Sequence, residues 1–320
     1  MRRKLALLAA AAALLAAAAA GCGFGAGERD RGEATITVTR DFGRKLMHEI
    51  TVTDPTESET VMRALDRETE LETRYGGGFV QAIDGVAGGR TGGRTHDWFY
   101  FVNGIEASVG AADNPLRAGD RVWWDHRDWT TAMRVPAVVG SFPEPFRQAA
   151  AEEPDPVTVE CEAERALCER AVQALADAGL EEAGVPIRVG SLGSARKAGP
   201  RLAVGEWERL RRDRTLALLA EVPADSGVFA RFVRRGDGWA LEALDERGEP
   251  SGAVPADAGL VAALRWGEEP ASWVATGTTT EAVAAAVALL DEEALRSRYA
   301  VAAPGEGAVA LPLEPQEGPG

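Results

Sequence analysis

Apolar and polar positions follow two different grammars along this chain. ATITVTRDF (34–42) and HEITVTDP (48–55) alternate residue by residue about a turn near Gly43. That period predicts a hairpin with one buried face. Val61, Met62, Leu65 and Leu71 then recur at helical spacing, with Ser58 placed to cap a helix. RYGGGFVQAIDGVAG (74–88) reads as a glycine-rich turn into a strand, GGRTGGRTH (88–96) as a flexible loop, and DWFYFV and RVWW as two aromatic strands. Hairpin, helix, then further strands is an α+β order consistent with a β-grasp.

Beyond residue 156 the pattern becomes strand–turn–helix. VTVEC leads to a helix over 162–179, IRVG and RLAVG are strands, and a helix covers 206–213. A hairpin turns at Gly236-Asp237-Gly238, ASWVATG is a strand, and helices follow over 280–290 and 291–299. This predicts an α/β domain after the α+β one. The expected boundaries are 34–135 and 157–303, joined by a proline-bearing acidic linker at 136–156 and followed by a Pro/Gly/Glu-rich tail, 304–320, expected to be disordered.

The aromatic strands carry the most information about function. Residues 97–129 hold Trp98, Trp123, Trp124 and Trp129, four of the eight tryptophans in a chain only 6% aromatic. Strand alternation puts Trp98, Tyr100 and Val102 on one face and Phe99 and Phe101 on the other, and separates Trp123 from Trp124. A two-layer domain of this size has one core, so one aromatic set is expected on the outer face. It is either a stacking platform for a ligand or a surface covered by the linker, the second domain or the Trp129 loop. Asn103-Gly104 between the strands is a two-residue turn signal.

Residues 1–21 read as a secretory signal: Arg2, Arg3 and Lys4, then an apolar Leu/Ala run, then small residues. Ala-Ala-Gly ahead of Cys22 resembles a lipoprotein signal, which implies lipidation of Cys22, a membrane anchor and an extracytoplasmic location. Residues 22–33 then form a short polar tether. In such a compartment Cys161 and Cys168 are expected to form a structural disulfide between strand end and helix. Removing the signal loses three positive charges and no acidic ones, taking the formal charge from −15 to −18. A chain this acidic is repelled by nucleic acid, which is therefore excluded as a partner.

The sequence offers little for catalysis. His48, His96 and His126 all lie in the first domain, so a histidine-based triad or zinc site is ruled out in the second. His126 stands near Asp125 and Asp128 but reads as a solvated histidine, and Thr278 with Glu281 reads as a capping box at a strand-to-helix turn. No phosphate-loop or dinucleotide fingerprint occurs there. No enzyme activity, catalytic residue, metal or cofactor is assigned.

W-F-Y-F-V-N-G, the small-residue loop with Val109-Gly110-Ala111-Ala112, A-G-D-R-V-W-W and Trp129, preceded by GGGFVQAIDGV, together resemble the transcobalamin-like C-terminal domain family of ligand-binding β-grasp modules. The resemblance covers about residues 34–135 and matches Gly77, Gly78, Tyr100, Asn103, Gly104, Gly110 and Trp124 to family-like positions. With Trp98, Trp123 and Trp129 these are the candidate ligand-binding residues. The resemblance implies a binding module for a small-molecule ligand of the corrinoid type, and the expected role is capture for uptake or delivery to a transporter subunit. The alternative is a protein-interaction module whose aromatic face docks an envelope partner without any small ligand.

Overall fold

The computed structural model describes residues 27–151, 153–194 and 199–315. The expected signal peptide, Cys22 and the first part of the tether lie outside the described residues, as do 316–320. The fold is mixed α/β and rich in strands.

In the first unit, β1 (Glu33–Arg40) and β2 (Lys45–Thr53) form the expected hairpin, followed by α1 (Val61–Glu68). β3 (Leu71–Arg74), β4 (Phe79–Ile83) and β5 (Val86–Ala87) make a small separate sheet. β6 (Gly89–Thr91), β7 (Arg94–Val102), β8 (Ile105–Glu106) and β9 (Arg121–Asp128) complete the main sheet, in the order β2-β1-β9-β7-β6 with β8 pairing β7. β1 and β9 run parallel and the other pairs antiparallel. Alternation buries Ala34, Ile36, Val38, Trp98, Tyr100, Val122 and Trp124 under Val61, Met62 and Leu65 of α1. Each such aliphatic side chain contributes roughly 1.5–3 kcal/mol on burial. The cap of α1 is Thr60, whose side chain accepts from the Arg63 amide at 3.2 Å, not Ser58. The stretch expected as a flexible loop (88–96) is instead the β6–β7 hairpin, because Gly92 and Gly93, both at positive φ, close a tight turn.

The second unit is a seven-stranded sheet. β10 (Val157–Glu162), β11 (Ile187–Gly190), β12 (Arg201–Glu206), the hairpin β13 (Ala230–Arg235) and β14 (Gly238–Ala243), β15 (Gly259–Leu264), β16 (Ser272–Gly277), β17 (Ala300–Ala303) and β18 (Val309–Leu311) follow in sequence. The sheet order is β11-β10-β12-β16-β15-β17-β18, with the first four strands parallel. α2 (Arg165–Leu175) and α5 (Thr280–Ala288) cover one face. α3 (Trp207–Leu210), α4 (Pro223–Ser226) and the β13–β14 hairpin lie toward the other. α6 (Glu292–Leu295) is shorter than the helix expected over 291–299, and Thr279, not Thr278, caps α5. Cys161 and Cys168 are disulfide-bonded, clamping the end of β10 to α2.

Two composition-based expectations give way to packing. Residues 136–147 are not a solvated linker: Phe142 and Phe146 are fully buried, and both rings pack on Trp273 at 5.9 and 4.9 Å. The tail is ordered at least through Leu313, since β18 pairs with β17 and the Leu313 amide bonds to Leu244. From residue 28 onward the tether is also held, with Asp30 donating its amide to Pro55 at 2.8 Å.

Candidate ligand slot on the edge of the aromatic strand

The two aromatic faces of the first sheet have different fates. Trp123 and Phe101 face the second unit and are buried there against Phe42 and Tyr299, with ring centroids 5.1 Å apart for Trp123–Tyr299. The Trp123 indole donates to Thr39 Oγ1 at 2.8 Å. Trp123 is therefore not part of an exposed platform: the second unit covers it, which is why a sheet with aromatics on both faces is stable. Asn103 and Gly104 sit at positive φ in the β7–β8 turn, and Asn103 fastens the start of β9 through Arg121 N (2.9 Å) and Asp120 Oδ1 (2.9 Å). They serve the hairpin and do not line the slot described next.

Trp98, Tyr100, Gly78, Gly110, Trp124 and Trp129 do converge. They line a cavity of about 460 Å³, together with Phe79, Phe99, Met133, Asp97, Glu106, Ser108 and Arg134. Such a volume falls within the range that encloses small ligands. Gly110 is required here, because a Cβ would stand 2.9 Å from the Gly78 carbonyl oxygen. Gly77, at positive φ, precedes this wall without lining it.

The walls are rigid. Tyr100 stacks on Trp124 with centroids 4.6 Å apart, donates its hydroxyl to Val109 O at 2.6 Å and accepts from Asn114 at 3.2 Å. Burial raises its pKa above the usual tyrosine value. The Trp98 indole donates to Val86 O at 2.8 Å. By contrast, the indole nitrogens of Trp124 and Trp129 are buried and have no acceptor among the described residues. Trp207 and Trp273 share that condition elsewhere in the molecule, but Trp124 and Trp129 line a cavity. A buried donor left without a partner costs roughly 1–3 kcal/mol.

Arg127 brings the far wall into place. Fully buried, it lies 3.9 Å over the Phe99 ring and donates to Ala132 O (2.7 Å) and Met133 O (2.9 Å). The 129–134 loop is thereby folded back, carrying Trp129, Met133 and Arg134 to the slot. Arg134 pairs with Glu106 at 3.2 Å. Burial pushes the Asp97 carboxyl up, opposed by the hydrogen bond from the Trp98 amide. His126, expected to be solvated, is half-buried: it stacks on His96 at 5.7 Å and its Nε2 lies 3.2 Å from Ala87 O. Strand alternation sends Asp125 to the opposite face, and among the described residues no His/Cys/Asp/Glu group is arranged to hold a metal.

Sequence reasoning missed Phe99, Met133 and Arg127. Alternation puts Phe99 on the face opposite Trp98 and Tyr100, but the slot wraps around the open edge of β7 and touches both faces. The polar run Asp125–Asp128 that follows Val122-Trp123-Trp124 gave no signal that Arg127 would be buried.

Residues 58–127 match the family model of a domain of unknown function, DUF4430, which spans α1 to β9 and so contains most of the slot. No curated protein matches the chain. Among solved structures, one from Ruminococcus gnavus, described as "a putative metal binding protein", is similar at 17% identity over 31% of this chain and 98% of that chain, with a TM-score of 0.24.

Proposed function

We propose that this protein is a binding protein, not an enzyme, and that the slot along β7 takes a small, largely apolar ligand. The observation carrying this reading is the convergence of Trp98, Phe99, Tyr100, Trp124, Trp129 and Met133 on one cavity of about 460 Å³. The aromatic walls supply burial, and Asp97, Ser108 and the Glu106–Arg134 pair on the same lining supply the polar groups that orient a ligand, the usual division of labour in a ligand pocket. The resemblance to transcobalamin-like β-grasp modules supports the same class and suggests a corrinoid. At about 460 Å³ the slot would meet a corrin only through its periphery. On the sequence signal alone, we further propose a lipid anchor at Cys22, an extracytoplasmic location and delivery to a transporter subunit.

The test is a thermal-shift screen of the full chain against cyanocobalamin, cobinamide and a panel of aromatic and aliphatic amides. The expected result is stabilisation by at least one compound that is lost in Arg127→Met, which releases the 129–134 loop. Stabilisation by none, or stabilisation unaffected by that substitution, contradicts the slot reading. The protein-docking alternative is weakened by the burial of Trp123 beneath the second unit.

A further inference from the structure

We infer that the slot is built to recognise one peptide-like residue, an N–H and a C=O flanking a single carbon that bears a large apolar side chain; this rests on the slot being a ligand site. The inference comes from a gap in the sheet. The Trp129 amide donates to Thr95 O and the Asn103 amide to Arg121 O, both at 2.9 Å, so the odd-numbered residues of β7 bond to β9. The even-numbered residues therefore present their backbone groups to the other edge. β6 pairs that edge at His96 and β8 pairs it at Val102. Between them, the Trp98 amide is taken by Asp97 Oδ1 at 3.0 Å, and the Tyr100 carbonyl accepts from Ala107 N at 3.0 Å. Among the described residues no backbone group pairs the Trp98 carbonyl or the Tyr100 amide, which lie on the edge that the slot follows.

A carbonyl at one position and an amide two residues on are the groups that a parallel neighbour uses to bind both the N–H and the C=O of one of its residues. The residue so paired stands opposite Phe99, and paired residues direct their side chains to the same face. Phe99, Trp129 and Met133 line the slot and furnish that side with an apolar subsite. A longer strand has no room. At one end a Cβ on Gly88 would lie 2.4 Å from Asp97 Oδ1, and at the other the chain closes through Ala107. One rung is the unit of recognition.

The test titrates the full chain with N-acetyl-L-phenylalaninamide and its N-methyl analogue, which keeps the apolar body and loses the donor to Trp98 O. The unmethylated compound is expected to bind at least about tenfold tighter, the loss that follows from leaving a buried carbonyl unpaired. Acetyl-Ala-Phe-Ala-amide is expected to bind no better than the single residue. Equal affinity of the first two compounds overturns the peptide-residue assignment while leaving a ligand slot standing. A tenfold gain for the tripeptide overturns the one-rung limit and points to a protein strand as the natural source. Binding of none of the three at millimolar concentration, with no compound of the wider panel binding either, removes both this assignment and the slot reading beneath it.

Discussion

Tyr299 donates its hydroxyl to Asp125 at 2.9 Å, linking the second unit to the buried face of the aromatic sheet. Asp125 is fully buried and also accepts from Thr39 Oγ1 (2.6 Å) and from the Gly43 amide (3.1 Å). Thr39 in turn accepts from Trp123, so one polar network holds the aromatic face against Tyr299. Tyr299→Phe is expected to cost about 0.5–1.5 kcal/mol in urea unfolding, the net worth of a typical intramolecular hydrogen bond. No loss would show that the network does not contribute to docking.

Burial raises the Asp125 pKa above the ordinary aspartate value of 3.8, against the hydrogen bonds that lower it. For a carboxyl whose folded pKa is raised, the stabilising contribution is complete below the unfolded value and is lost as pH rises through the folded one. Asp125→Asn removes that loss while keeping an acceptor for Gly43 and Thr39. The stability of the variant relative to the parent should therefore grow as pH rises from the ordinary aspartate range toward neutrality. Asp97, Asp120 and Glu144, also raised by burial, are common to both proteins and cancel in the difference. A difference that stays constant with pH would contradict the assignment.

The Cys161–Cys168 bridge closes a loop with a sequence separation of only 7. Its removal as Cys161→Ser with Cys168→Ser is expected to cost about 2 kcal/mol, the loop-entropy value for so short a loop. A calorimetric melt checks this, and an unchanged midpoint would show that the β10–α2 junction is held by packing alone.

Gly104→Ala should destabilise by about 1 kcal/mol or more, since Gly104 has φ +79° and a Cβ would stand 2.9 Å from Val138 O. The substitution leaves the slot lining untouched, so it should lower the melting temperature without altering ligand affinity measured below the transition.

Much of this was legible in the chain because period-2 alternation is strong in β1 and β2, which have one face to bury, and because aromatic and β-branched residues mark β7 and β9 as strands. The split of Trp123 from Trp124 follows from alternation alone. β15, β17 and β18 were not legible: GLVAAL and AVAA are short, alanine-rich and buried throughout, so no periodicity distinguishes strand from helix. Helix ends drifted for a similar reason, because Ser58 and Thr60, or Thr278 and Thr279, are chemically equivalent caps. Which aromatic face stays open was invisible because it depends on a second unit more than 170 residues away, as the Asp125–Tyr299 separation shows. The open rung at Trp98 and Tyr100 is a property of the backbone and leaves no mark in residue type.

The most direct measurement is an indole ¹H–¹⁵N spectrum of the full chain, titrated with N-acetyl-L-phenylalaninamide and with any compound that stabilises it in the thermal screen. The N–H resonances of Trp124 and Trp129 should move with the ligand, while those of Trp123 and Trp273, buried away from the slot, stay in place. A bound ligand that leaves Trp124 and Trp129 unmoved would contradict the account.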